Sequence, residues 1–295
     1  MRLSEASSIV PITVLRDAAF TSLGFVTHRT DAMLVFMESE RFLDGLFANP
    51  NVSAVIAAPA VADRIPAHLG VAISEAPRRD FYHLHNHLAE HTEFYWRDFP
   101  AEIAADAFIS PAAHIASLNV RIGHRTVIEP SVTVLPHTII GDDVILRAGS
   151  VIGSQGFEFK RIGETILPVA HAGGVRLHDR VEVQANTCID RSIFGGFTEL
   201  GADTKLDNLV HIAHNVKIGK RCLLAAHAMI AGSVTLGDDV WIGPSAAVSS
   251  EITIGDGAYV TLGSVVTRNV APGQHVTGNF AIDHDKFIAF LKTIR

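Results

Sequence analysis

The stretch LDNLVHIAHNVKIG, residues 206–219, gathers the side chains best suited to acid–base chemistry. Asp207, His211 and His214 all fall within it. An imidazole near the reference pKa of about 6.5 accepts a proton at neutral pH. A carboxylate beside it can fix the ring tautomer and stabilise the imidazolium. His214 is therefore a candidate general base, with Asp207 as its candidate partner. The same residues also read as a carboxylate near two surface histidines, and their spacing alone does not separate the two readings.

Three other clusters invite chemistry. His83, His85, His87 and His91 lie close together, and His87 to His91 spells H-x-x-E-H, a zinc-protease pattern. On a helix His87 and His91 share a face, but such a site needs a third ligand and a protease fold, so a solvated helix face is the simpler reading. Cys188 has no activating partner in sequence. Cys222 occupies a core-facing position and reads as a small buried residue. Histidines 124, 137, 171, 211, 214 and 227 could supply zinc between neighbouring subunits. That arrangement gives the first hundred residues no role, and no metal is expected.

The elements that must position these groups follow from a repeat. From Leu200 an aliphatic residue returns every six positions through Leu206, Ile212, Ile218 and onward to Val266. An earlier run, Ile122 to Ile152, keeps the same step, and a short one, Leu177, Val183 and Ile189, lies between. Six fits neither a 3.6-residue helix nor a heptad, but it is a multiple of the strand period. Four places after each aliphatic stands a small or β-branched residue, as at Val210, Val216 and Cys222, so each hexad sends two side chains inward. The position directly after the aliphatic is often glycine, as at Gly201, Gly219 and Gly237, which would permit a positive φ at a sharp corner. Hexads joined by corners wind into a parallel β-helix. His214, two places after Ile212, then belongs near a corner and outside the core.

Two places break the phase. SQGFEFKRIGETILPVAHAGG, residues 154–174, reads as a loop leaving the β-helix, and the step from Ile189 to Leu200 is eleven. Residues 1–100 lack the hexad. There LVFM (34–37) and SAVIAAP (53–59) read as strands, while ERFLDGLFAN (40–49) and RRDFYHLHNHLAEHTEF (78–94) read as helices. The expected organisation is a small α/β domain over 1–100, a β-helix over 101–271, and a tail with a short amphipathic helix over 272–295. The fold class is mainly β.

Composition narrows the function. A formal charge of −7 argues against a general nucleic-acid binder. Two cysteines in 295 residues suit a reduced, cytoplasmic protein, and no apolar run approaches a membrane span of about 20 residues.

VEVQANTCIDRS (181–192) followed by KLDNLVHIAHNVKIG (205–219) resembles the UDP-3-O-acylglucosamine N-acyltransferases of lipid A and lipopolysaccharide biosynthesis. GSQGFEF (153–159) is similar to that family's glycine- and phenylalanine-rich substrate loop, and FMESERFLDGL (36–46) to its uridine-binding segment. The resemblance implies a left-handed parallel β-helix, a cytoplasmic homotrimer, and active sites in the grooves between β-helices. It implies that His214 is the base, Asp207 its partner, and the Gly232 N–H, one coil of 18 residues further on, the oxyanion donor. It places Phe36, Ser39 and Phe42 at the uracil, and Gln155, Gly156, Phe157 and Phe159 in the substrate loop. The family usually has Asn at Ser39, Tyr at Phe42, Asp at Gln155 and Gly at Glu158, and some members have His at Glu251. The implied reaction moves an acyl chain from the phosphopantetheine thioester of acyl carrier protein to the amine of a UDP-linked glucosamine, with no tightly bound cofactor. Two rivals remain: transfer of acetyl from coenzyme A to another nucleotide-linked amino sugar, and a non-catalytic β-helical binding scaffold.

Overall fold

The computed structural model describes residues 1–278, 281 and 283–294. The β-helix is built from the hexads. Its strands stack into three parallel sheets of nine, eight and eight strands, running from Glu102–Ile103 to His275–Val276. The last strand thus lies past residue 271. Ile212 pairs with Ile230 and Leu206 with Leu224, so an uninterrupted coil is 18 residues. Both inward registers are buried: Ile212, Ile218 and Leu224 from the first, Val210, Val216 and Cys222 from the second. They join one aliphatic core along the axis, which is why a sequence poor in aromatics can fill it.

The corners differ from the sequence expectation. Gly201, Gly219 and Gly237 do not carry the positive φ. That conformation falls two residues later, at Asp203, Arg221 and Asp239, and likewise at Leu209, Asn215, His227 and Ser233. The glycines answer a different constraint. A Cβ on Gly219 would lie 2.4 Å from the Gly237 carbonyl oxygen of the next coil, and one on Gly201 would lie 2.5 Å from that of Gly219. Coil spacing, set by strand hydrogen bonding, leaves no room there for a side chain.

The N-terminal region is a five-stranded sheet of β1 (Thr13–Arg16), β2 (Ser22–Leu23), β3 (Met33–Met37), β4 (Val52–Ala57) and β5 (Gly70–Ile73). Its order is β1-β5-β4-β3-β2, parallel except for β1. The sequence pattern revealed β3 and β4 but not the other three. Residues 40–49 split into a 3-10 turn, Glu40–Phe42, and a short helix, Leu43–Phe47. Both faces of the sheet are covered: Leu34, Ala54 and Ile56 face one apolar cluster, Val35, Val55 and Ala57 another.

Both breaks in the hexad phase dock this sheet to the β-helix. The eleven-residue step projects Ile193 and Phe194 into the N-terminal core, where Phe194 meets Phe25 and Phe81 edge-on. The 154–174 excursion is not all loop. It contains an antiparallel hairpin, Phe159–Ile162 with Thr165–Pro168, whose second strand returns through Leu167 and Val169 to the apolar cluster of the Pro77–His91 helix. Asn86 Nδ2 donates to the Pro168 carbonyl and Asn86 Oδ1 accepts from the Ala170 amide.

His85 corrects the reading of that helix as a solvated face. Its ring is fully buried between the Ala170 carbonyl and the Tyr95 hydroxyl, at 2.7 and 2.8 Å. The carbonyl can only accept, so Nε2 carries the proton and Nδ1 receives the Tyr95 O–H. His87 and His91 do share the exposed face, with ring centroids 5.2 Å apart, but they gather no third ligand among the described residues. The C-terminal helix His284–Thr293 is capped by Asp283, which accepts from the amides of Asp285 and Lys286.

Burial pushes His28, His85, His137 and His171 down to about 4. Unfolded, these rings take up protons below about 6.5. Between those values the unfolded chain binds more protons, so this contribution to stability is complete above about 6.5 and is lost as pH falls toward 4. The urea midpoint at pH 5 is therefore expected to lie clearly below that at pH 7.5. Equal midpoints would mean that these rings are not held neutral.

Candidate active site

The strand His211–Ile212 ends in a corner that carries His214. This corner lies at the mouth of a cleft of about 620 Å³ between the β-helix, the 154–174 excursion and the N-terminal sheet. The imidazole is 16% exposed, neither in the core nor free in solvent. One coil along, Gly232 occupies the same corner position. A Cβ there would stand 2.4 Å from His214 Cε1 and 2.7 Å from Nε2, so the ring lies directly over the glycine. The Gly232 N–H has no acceptor among the described residues, whereas its carbonyl accepts from the Glu251 amide.

Asp207 does not reach His214 within the chain. With a hexad per side, residues seven apart sit on successive corners of the prism. The Asp207 carboxylate instead accepts from the Asn208 amide and side chain and from the Ala226 amide, which closes its own corner. Two polar groups that do approach His214, Asn215 and Glu158, were given no role from the sequence. Asn215 Oδ1 accepts from the Ile193 amide at 3.0 Å, which fixes the amide's orientation, and lies 3.2 Å from His214 Nδ1. That oxygen calls for a proton on Nδ1 and leaves Nε2 unprotonated toward the cleft. Glu158 Oε2 stands 3.5 Å from Nε2, and the Glu158 carboxylate also pairs with Lys160. Asn215 had one available signal: it occupies the corner position of positive φ, which Asn tolerates. Glu158 had only its place where the related family usually has Gly, because the excursion follows no repeat.

The remaining expected residues divide. Phe36 and Phe42 line the cleft opposite His214, with Arg41 stacked on Phe42 at 4.3 Å and Arg78 beside Phe36. Ser39 is not on that wall; it starts the Glu40–Phe42 turn without a side-chain cap bond. Phe157 stands at the cleft with 90% of its surface exposed and meets Phe159, itself outside the lining, at 5.0 Å. Gly156 packs against the site, since a Cβ there would come within 3.1 Å of His214 and of Asp190 and 2.9 Å of His171. Gln155 faces a second pocket, with His137, His171 and Arg191. His171 meets His214 edge-on at 5.6 Å. Burial, and next the His214 charge, hold its basicity down, so it stays neutral beside the candidate base.

Two stretches of the repeat, residues 119–154 and 197–232, match the sequence model of the bacterial transferase hexapeptide (six repeats). The chain is also similar to proteins named UDP-3-O-acylglucosamine N-acyltransferase. One from Legionella pneumophila is 52% identical over 160 residues, covering 53% of this chain and 46% of the relative. One from Caulobacter vibrioides is 43% identical over 100 residues, covering 34% and 29%. The matched stretches thus span less than half the length of these relatives. Among solved structures, the UDP-N-acetylglucosamine acyltransferase of Francisella novicida superposes with a TM-score of 0.53 at 23% identity, over 60% of this chain and 63% of that one, a likeness of fold. The resemblance read from the residues therefore stands. Among the described residues no helix is long and apolar enough to cross a membrane.

Replacing Gly232 by Ala should push the His214 ring off its seat with little change in melting temperature, because Gly232 does not occupy the positive-φ region. A shifted His214 Cε1–H resonance in the folded variant is the expected reading. An unmoved resonance would mean that the ring does not rest on this glycine.

Proposed function

We propose that the chain is a thioester-dependent N-acyltransferase that acts on a nucleotide-linked amino sugar, UDP-glucosamine bearing a 3-O-acyl chain being the favoured acceptor. The observation that carries this reading is the seating of His214 over Gly232, facing an aromatic and cationic wall across one cleft. Phe36 and Phe42 suit stacking against a base, and Arg41 and Arg78 suit a diphosphate. The names of the relatives agree with this acceptor.

In the proposed reaction the sugar amine attacks the thioester carbonyl. The C–N bond forms as His214 Nε2 takes the amine proton, the C–S bond breaks, and the proton passes to the departing thiolate, giving amide and free thiol. Asn215 is a positioning residue that keeps the proton on Nδ1. The Gly232 N–H, without a protein acceptor among the described residues, suits the oxyanion. Glu158 lies close enough to Nε2 to stabilise the imidazolium, the part that Asp207 cannot play within one chain. Both cysteine thiols are pushed up by burial, so neither suits a covalent intermediate. The donor we favour is an acyl chain on acyl carrier protein. A cytoplasmic homotrimer is supported by the free thiols and by exposed Leu223, Met229 and Leu262 on the outer faces of the coils.

His214→Ala should lower turnover by roughly 10²–10⁴ with the fold retained. In titrations with UDP-, GDP- and TDP-sugars, the uridine compound should bind tightest and Phe36→Ala should weaken it. Full turnover by the His214 variant would end the general-base assignment. Turnover with acetyl-coenzyme A but with no acyl carrier thioester would reassign the donor, and nucleotide binding with no turnover on any thioester would favour a scaffold.

A further inference from the structure

A second cluster lies on the outer face of the β-helix, outside the proposed acid–base machinery. Cys188 and His211 are paired residues on neighbouring coils, so their side chains project side by side. Asp190, two residues along from Cys188, projects from the same face. One donor atom from each of the three lies within 4.8 Å of the others. Asp190 Oδ2 stands 3.6 Å from His211 Nε2, and Cys188 Sγ stands 3.7 Å from Asp190 Oδ1. Zinc bonds of about 2.0–2.3 Å in tetrahedral geometry set ligand atoms about 3.4–3.7 Å apart, so these separations already approach those of a coordination shell.

The surroundings point the same way. The Asp190 side chain is only 6% exposed, yet its one cation-capable neighbour within 4 Å among the described residues is His211. A buried carboxylate without a firm countercharge is costly. Ser154 donates to Asp190 Oδ1 at 2.6 Å and lies 3.1 Å from Cys188 Sγ, which orients the carboxylate as an outer partner orients a metal ligand. His211, with a 43% exposed side chain, leaves the cluster open to solvent for a fourth ligand.

We propose that Cys188, Asp190 and His211 bind one divalent cation of zinc's kind, with water in the fourth position. On binding, the Cys188 thiol gives its proton to solvent and the thiolate sulfur bonds the metal. Thiolate and carboxylate together then match the two positive charges, and the neutral imidazole completes the set. The mixed sulfur, nitrogen and oxygen donors suit zinc or cobalt better than magnesium or calcium. The proposal departs from the metal-free expectation of the sequence, and the site does not depend on the acyltransferase reading.

Cobalt(II) titrated into the purified full chain tests this. One equivalent per chain should produce thiolate-to-cobalt absorption in the near ultraviolet, and zinc should displace it. Cys188→Ser should abolish the band, His211→Ala should weaken binding more than tenfold, and Cys222→Ala should leave it intact. Ser154→Ala should weaken zinc by about 10–100-fold. Absence of the band in the folded protein, or a band that survives Cys188→Ser, would overturn the proposal.

Discussion

The 18-residue coil is the constraint on which the rest of the molecule depends. Strand hydrogen bonding fixes the spacing between coils, so a residue and its successor one turn later meet at van der Waals distance. Along one edge of the prism this demands glycine against glycine, as in the ladder from Gly201 to Gly219 to Gly237. At one corner the same closeness is used differently. His214 projects from it, and Gly232 above supplies the empty space that the imidazole fills. The candidate base is thus held by backbone geometry, and only a glycine can stand over it.

A regular prism has no cleft of its own. The cleft arises because the hexad phase is broken twice on the same side. The step before Leu200 plants Phe194 among Phe25, Phe81 and His85, and the 154–174 hairpin is clamped by Asn86 and His85. These contacts bring Phe36 and Phe42 opposite His214 and lay Glu158 beside its Nε2. Irregularity in the repeat is where a binding wall is added to a rigid scaffold. The docking surface is apolar and holds its histidines neutral, which ties the integrity of the cleft to their protonation.

Partnership in this fold follows corners and faces more than sequence distance. Asp207, seven residues from His214, sits one corner away, whereas Glu158, some fifty residues upstream, touches its ring. Conversely, Cys188 and His211, separated by more than one regular coil because of the eleven-residue step, are adjacent on one face. Chemistry-bearing groups therefore collect in vertical columns along the β-helix.

The sequence alone determined the β-helix, because two inward registers repeated every six residues admit no helical packing. It also placed His214 at a corner, Gly232 one coil away, and Phe36 and Phe42 together in the N-terminal region. It misjudged the corner glycines, since spacing between coils is a tertiary quantity invisible in a local pattern. Only the tertiary structure decided which carboxylate meets His214, that Ser39 and Gln155 lie off the cleft, and that His85 is buried. It also decided that Cys188 stands beside His211. Each of these depends on how the phase-breaking segments fold back, and a segment that leaves a repeat carries no periodicity from which its contacts could be read.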